Sequence, residues 1–141
     1  MLNNQLTLES LTQMSKGTMT ELLGIEFIEI GDDFVKASMP VDSRTHQPFG
    51  ILHGGASVAM AETLGSIGAL GMIDSDTHYC VGLDINSNHI KSVRSGMVYG
   101  ISRPIHIGKN THVWEIRITD EEGNLINISR LTMAIIKKKK N

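Results

Sequence analysis

The stretch GGASVAMAETLGSIGALG, residues 54–71, decides the fold of this 141-residue chain. Most of its residues are Gly, Ala or Ser, and glycine in a helix costs about 0.5–1 kcal/mol relative to alanine. A helix with this composition needs close packing to compensate, and Gly65, Gly68 and Gly71 form a narrow groove for such contact. We predict a central helix from about Gly54 to Met72, wrapped by a curved antiparallel sheet of five to six strands in an α+β architecture.

The segments on either side of this helix have the alternation that strands show. Strands are predicted at about 25–30, 34–40, 78–90, 97–107, 112–120 and 125–137, with turn-forming residues between them. Residues 7–23 are expected to form one helix that Gly24 closes.

Alternation also predicts which strand residues share a face. Two sets would each line one face: Trp114, Ile116 and Ile118, and Val81, Leu83 and Ile85. In the last strand Ile126 and Ile128 are at even-numbered positions, whereas the later apolar residues Leu131, Met133 and Ile135 are at odd-numbered positions, which would face the other side of the sheet. A bulge near Ser129-Arg130 would reconcile the two halves.

The composition bounds the function before any motif is considered. A net charge of -2 gives no global field that would attract nucleic acid or an anionic membrane, and the 4% of aromatic residues offer few surfaces for stacking bases. The single cysteine, Cys80, cannot form an internal disulfide, and we assign it to the core of a protein from a reducing compartment. The N-terminus lacks a signal-peptide pattern, and residues 58–73 are too short and too polar to span a bilayer.

We therefore expect residues 1–141 to form one soluble cytoplasmic domain. The four lysines at 137–140 are expected to be a solvated tail, with a phosphate contact as the alternative.

Glu62 is the residue of the helix that could carry chemistry. It is the sole charged residue between His53 and Asp74, and a carboxylate among small apolar residues is rarely fully buried without a partner. One interpretation places it on an exposed helix edge, and the other makes it a carboxylate poised at a site. Ser66, one turn further on, could orient Glu62 or a water, or could bond back to the carbonyl of Glu62.

His53-Gly54-Gly55 opens the helix, where backbone N–H groups have no internal acceptor and the helix dipole is positive. Glycines let a substrate oxygen approach these groups, as an oxyanion hole requires, although an ordinary glycine-rich helix start would look the same. The histidines show no HxH or HxxxH spacing, so we expect no metal site. Asp84 could be a second catalytic acid or a structural residue.

At residues 46–66, HQPFGILHGGASVAMAETLGS, the chain resembles the PaaI-type acyl-CoA thioesterases, which have the hotdog fold. The likeness continues through LGIEFIEIGDD, MPVDSRTHQPFG, GLDINSNH, PIHIGKNTHVWEI and SRLTMAI, and it departs at residues 73–79. The later segments are most similar to the subgroup of the menaquinone and enterobactin pathways, which includes 1,4-dihydroxy-2-naphthoyl-CoA thioesterases.

The resemblance implies a role for each matching position. Glu62 matches the catalytic nucleophile or general base, and Gly54 matches the residue whose N–H polarises the thioester carbonyl. Gln47 and His53 match residues that hold the thioester and its leaving group, and Ser66 matches a hydroxyl that places water. The positions that match CoA-binding stretches are Gly82, His89, Lys91, His106, Ile107, Gly108, Lys109 and Asn110.

The resemblance predicts an acyl-CoA thioesterase that hydrolyses an acyl-CoA, aromatic or of broader range, without any cofactor. It also implies a homodimer or a dimer of dimers with sites at the subunit interface. Small helix residues would leave a slot for a flat ring at Ser57, Ala59, Ala61 and Gly65. Two alternatives remain: a hotdog enoyl-thioester hydratase that uses His53 and Glu62, and a non-catalytic acyl-CoA-binding protein. No nucleic acid or membrane partner is expected.

Overall fold

The structure is a computed structural model that describes residue 2 and residues 6–139. Within these residues, three helices and six strands follow one another: α1 (Leu8–Ser15), α2 (Met19–Leu22), β1 (Glu26–Ile30), β2 (Val35–Pro40), α3 (Gly54–Gly71), β3 (His78–His89), β4 (Met97–Ile107), β5 (Thr111–Asp120) and β6 (Leu125–Lys137). The strands form one antiparallel sheet in the order β1-β2-β4-β5-β6-β3. The predicted long helix on an antiparallel sheet is confirmed.

Helix α3 packs closely on the sheet because its glycines leave room for large strand side chains. A Cβ atom added to Gly68 would lie 2.6 Å from the ring of Trp114, and one added to Gly65 would lie 2.6 Å from Leu131. Trp114 and Leu131 are fully buried, as are Ile116 and Ile118. The predicted shared face of Trp114, Ile116 and Ile118 is therefore confirmed as the core face of β5.

The predicted single helix over residues 7–23 is wrong, because the chain breaks between α1 and α2. Gly17 adopts a φ of 70°, which a continuing helix does not allow. Thr7 caps the start of α1, and its hydroxyl accepts a hydrogen bond from the Ser10 N–H. Gly24, with a φ of 69°, ends the helical segment as expected.

The predicted shared face of Val81, Leu83 and Ile85 is also wrong. Gly82 pairs with Met133 and Asp84 with Thr132, so Leu83 is an extra residue in β3. This bulge reverses the alternation, and Leu83 is 61% exposed while Ile85 packs against the core.

Strand β6 differs from the prediction in the same way. No register shift occurs at Ser129-Arg130; the irregularity lies at Ile126, where Ile118 pairs with Asn127 and Thr119 pairs with Leu125. Two polar side chains, Asn127 and Ser129, therefore occupy buried positions on the face that packs on α3.

The lysine run is partly held by the fold. The Nζ of Lys138 donates to the Ser75 carbonyl at 2.6 Å, and its backbone N–H donates to the Thr77 carbonyl at 2.8 Å. Lys139 is exposed, and Lys140 lies outside the described residues. Within the part of the chain that the structure describes, no helix has both the length and the hydropathy to cross a membrane.

Candidate active site

A cleft of about 280 Å³ opens at the N-terminal end of α3. It brings together Gln47, Gly54, His89 and Lys91, four residues that the sequence placed at the site. The residues between β2 and α3 hold this end of the helix, and the His53 N–H donates to the Thr45 carbonyl at 2.7 Å. Thr45 is itself buried, with its hydroxyl donating to the Pro40 carbonyl at 2.7 Å.

The first turn of α3 presents a backbone donor to this cleft. His53 is the N-cap, and its Nδ1 accepts from the Gly55 N–H at 2.7 Å. The His53 carbonyl accepts from Ala56 and Ser57. The Gly54 N–H has no acceptor among residues 6–139, so this positive end of the helix can donate to a ligand oxygen.

Gln47 offers a second donor beside it. Its side-chain Oε1 accepts from the backbone N–H of Phe49, and its backbone N–H donates to the Ile51 carbonyl at 2.9 Å. Because Oε1 is engaged within the loop, the amide NH2 is the group left for a ligand.

Glu62 lies further along α3, in a separate groove of about 360 Å³ that also contains Ala59 and Ser66. In a single chain Glu62 is exposed, and none of the residues described here forms a hydrogen bond or ion pair with its carboxylate. Its Oε1 would lie 2.6 Å from a Cβ atom on Gly82, so the carboxylate rests directly against the backbone of β3.

Ser66 makes no direct hydrogen bond to Glu62, and its expected role in placing a water stays a prediction. Its hydroxyl lies 3.8 Å from the sulfur of Met133 rather than bonding to the Glu62 carbonyl or carboxylate. Ser66 is half-buried and lines the same groove as Glu62, so a water in that groove could contact both side chains.

Within one chain, Glu62 and Gly54 are too far apart to act on the same thioester group. They are eight residues apart on one helix, which corresponds to about 12 Å along its axis. A thioester carbonyl that accepts from the Gly54 N–H is therefore out of reach of the Glu62 carboxylate in the same chain.

Gly82, one of the residues predicted to bind CoA, lies against Glu62, and the others are divided between two ends of the sheet. His89 and Lys91 lie at the N-terminal end of α3, and Lys91 faces Asp120 with Nζ to Oδ2 at 3.8 Å. The segment His106 to Asn110 contains the last two residues of β4 and the loop to β5. It lies beyond Trp114, which packs against Gly68 near the other end of the helix.

Within that loop the chain turns tightly. The Gly108 N–H donates to the Thr111 carbonyl at 2.9 Å, and the ring of His106 folds over Gly108. Ile107 is 44% exposed, and the side chains of Lys109 and Asn110 are free to meet solvent. The loop therefore forms an exposed, positively charged corner.

Asp84 and Cys80, the other two residues considered from the sequence, lie on β3. Asp84 is exposed on β3, and Cys80 is half-buried, where burial raises the pKa of its thiol. In the described part of the chain, no group of three or more His, Cys, Asp or Glu side chains is arranged to hold a metal ion. The expectation that no metal or cofactor is needed stays a prediction.

Sequence reasoning missed one polar cluster beside the cleft. Asn127 and Ser129 of β6 contact Ser87 and His89 of β3 under the N-terminal end of α3. The available signal was the polar residue at every second position in both strands, at 87 and 89 and at 127 and 129.

The contact of Glu62 with Gly82 predicts the effect of a single methyl group. In Gly82→Ala the new Cβ would displace the carboxylate from β3, so we expect kcat to fall about tenfold or more with little change in stability. Thermal unfolding and steady-state kinetics of Gly82→Ala, compared with the wild type, test this expectation. An unchanged kcat in Gly82→Ala would show that the contact has no part in catalysis.

Comparisons with known proteins now identify the family. Residues 49–127 match the thioesterase superfamily model. The chain is 50% identical over 132 residues to the 1,4-dihydroxy-2-naphthoyl-CoA hydrolase of Escherichia coli, covering 94% of this chain and 96% of that one. It is 48% identical over 131 residues to the proofreading thioesterase EntH of Cronobacter turicensis, covering 93% and 95%.

The structural comparison agrees. The crystal structure of a mutant thioesterase from Pseudomonas aeruginosa matches with a TM-score of 0.95 and 47% identity, covering 97% of this chain and 99% of that one. The chain belongs to the thioesterase superfamily and has the hotdog fold. It is a thioester hydrolase, as the resemblance of its sequence predicts.

Proposed function

We propose that the protein hydrolyses an acyl-CoA to the free acid and CoA, with Glu62 as the catalytic carboxylate. The observation that carries the proposal is the Gly54 N–H, which has no acceptor within the described chain and lies at the positive end of the helix that also bears Glu62. Such a donor suits the oxygen that becomes negative when a thioester is attacked.

In this reaction the Gly54 N–H donates a hydrogen bond to the carbonyl oxygen while Glu62 acts as nucleophile or as general base. Acting as a base, it takes a proton from water as the water oxygen bonds to the carbonyl carbon. The tetrahedral intermediate collapses, the carbon–sulfur bond breaks and CoA leaves as the thiolate, which takes up a proton. Acting as a nucleophile, Glu62 forms a mixed anhydride that water then cleaves.

The separation of Gly54 and Glu62 supports a site shared between two copies of the chain. Strand β3 is an edge of the sheet with twelve residues, and its apolar side chains Tyr79, Val81 and Leu83 are exposed. A long apolar edge strand is a template for pairing with another strand. Pairing of β3 with its twin would carry Glu62 of one chain toward Gly54 of the other, in a homodimer or a dimer of dimers.

We propose an aromatic acyl group as the preferred substrate. The relatives include a 1,4-dihydroxy-2-naphthoyl-CoA hydrolase, and a flat ring loses less rotational freedom on binding than a flexible chain. The slot differs from the one expected, because Ser57, Ala61 and Gly65 are buried in the folded chain and only Ala59 of the four is partly exposed. Ala59 and Thr63 beside Glu62 line the open groove and would contact the ring.

A thiol-release assay tests the function and the preference together. We expect kcat/KM for an aromatic acyl-CoA to exceed that for acetyl-CoA about tenfold or more, which is about 1.4 kcal/mol in transition-state binding. Absence of thiol release from every acyl-CoA would refute hydrolysis and leave a binding protein or a hydratase. Equal rates for both substrates would refute the aromatic preference alone.

We propose that Lys109 contacts the phosphates of CoA from the exposed corner between β4 and β5. Lys109→Ala is expected to raise KM for acyl-CoA severalfold while sparing a short thioester that lacks the nucleotide, because only the first substrate carries phosphates. Lys16→Ala, in the exposed segment after α1, is the control for loss of a surface lysine. An unchanged KM for acyl-CoA would remove Lys109 from the site.

A further inference from the structure

Asn127 is the centre of a hydrogen-bond cluster beneath the N-terminal end of α3. Its side chain has no exposed surface. Its Nδ2 donates to the Ser87 hydroxyl at 2.7 Å and lies 3.1 Å from Nδ1 of His89. Its Oδ1 accepts from the Ser129 hydroxyl at 2.8 Å, and the two serine hydroxyls are 2.9 Å apart. A buried side chain of this kind requires partners for all its polar atoms.

The orientation of the amide follows from this arrangement. As placed, both hydrogens of Nδ2 have an acceptor, one at Ser87 and the other at His89. Turning the amide over would direct Oδ1 to those two residues and Nδ2 to Ser129. One amide hydrogen would then have no acceptor within the cluster, at a position that water does not reach.

The amide orientation in turn decides which nitrogen of His89 carries the proton. Because Nδ1 accepts from Asn127, neutral His89 carries its hydrogen on Nε2. That nitrogen faces the start of α3, where a Cβ atom on Gly54 would lie 2.8 Å from it. The cleft thus holds two donors side by side, the Gly54 N–H and the His89 Nε2–H.

We propose that Asn127 is a positioning residue that holds His89 as an Nε2–H donor to a carbonyl oxygen of the acyl-CoA. Ser87 and Ser129 keep the amide of Asn127 in the required orientation. The ligand oxygen is that of the thioester or of an amide in the CoA arm. This inference rests on the proposed function for the identity of the ligand, whereas the protonated nitrogen of His89 does not depend on it.

The first experiment measures that nitrogen in the ligand-free protein. Long-range 15N–1H NMR of 15N-histidine-labelled protein at neutral pH, with His89→Gln to assign the signal, should show His89 as the Nε2–H form. In Asn127→Asp, where the carboxylate accepts instead of donating, His89 should carry a proton on Nδ1. A wild-type His89 protonated on Nδ1 would overturn the proposal, and this measurement on the wild type does not require any variant at position 127 to fold.

The second experiment is a double-mutant cycle of Asn127→Asp with His89→Gln. Asn127→Asp alone should lower kcat/KM about tenfold or more, because it removes the donor from Nε2. A glutamine at 89 has no tautomers, so in that background the same change should cost less than about threefold. Equal losses in both backgrounds would show a merely structural role and overturn the proposal.

A control variant and the split between kcat and KM complete the interpretation of the cycle. Gln13→Glu makes the same amide-to-carboxylate change at an exposed residue of α1 and should leave kcat/KM unchanged. If Asn127→Asp lowers kcat, the ligand oxygen is that of the thioester; if it raises KM, the ligand oxygen belongs to the CoA arm. If no acyl-CoA releases thiol while His89 shows the expected nitrogen, the proposed function fails and the role of Asn127 in holding His89 stands.

Discussion

Glu62→Gln is expected to lower kcat for acyl-CoA hydrolysis by about 10²-fold or more while the protein stays folded. Glutamine has the shape of glutamate, but it cannot take a proton from water or form an anhydride. The fold should tolerate the change because the carboxylate is exposed in the single chain and makes no hydrogen bond or ion pair with the residues described.

The measurement is steady-state thiol release, with circular dichroism and thermal unfolding to compare folding. Glu29→Gln on β1 makes the same chemical change at an exposed strand position away from both clefts, and it should keep wild-type kcat. A folded Glu62→Gln protein with near-normal turnover would remove Glu62 from the mechanism.

The sequence predicted the helix and the sheet because burial of apolar side chains is a local signal. The glycines of α3 indicated a close approach, and the structure places Trp114 against Gly68. Strand ends agreed to within one or two residues because Gly, Asp and Asn mark the turns.

The errors in β3 and β6 have a common physical origin. A prediction from alternation takes the apolar residues as the buried ones, but Asn127 and Ser129 are buried while Leu83 is exposed. A buried amide is stable only if partners reach it, and here the partners are on β3, about forty residues earlier in the chain. Apolar periodicity carries no information about such a pairing.

The sequence indicated the individual residues of the candidate site, but it did not indicate which of them lie close to one another. Each matching position lies on a helix or strand that the sequence located, or in a loop next to one, yet a linear pattern does not state which residues meet. Helical spacing already separates Gly54 from Glu62 by two turns, and the structure adds that they lie in different clefts of one chain. The shared site that we propose would reconcile this separation with one reaction.

Subunit complementation is the second experiment for which we expect a large effect. Glu62→Gln removes the carboxylate, and Gly54→Ala adds a Cβ that would lie 2.8 Å from the His89 ring and crowd the backbone donor. Each variant alone should be nearly inactive. If every site takes Glu62 from one chain and Gly54 from the other, a heterodimer of the two variants contains one intact site and should show about half of wild-type activity.

A heterodimer that carries both substitutions on one chain is expected to give the opposite result, which distinguishes a shared site from a site within one chain. A heterodimer of wild type with the double variant Glu62→Gln/Gly54→Ala has both of its shared sites damaged, and it should be nearly inactive although one chain is intact. A site contained within one chain reverses both outcomes: the double variant with wild type would keep about half the activity, and the two single variants would stay inactive together. Co-expression with two different affinity tags isolates each heterodimer, and thiol release measures it. A solution mass of one chain at micromolar concentration would exclude the shared site before any kinetics, since neither heterodimer could then form.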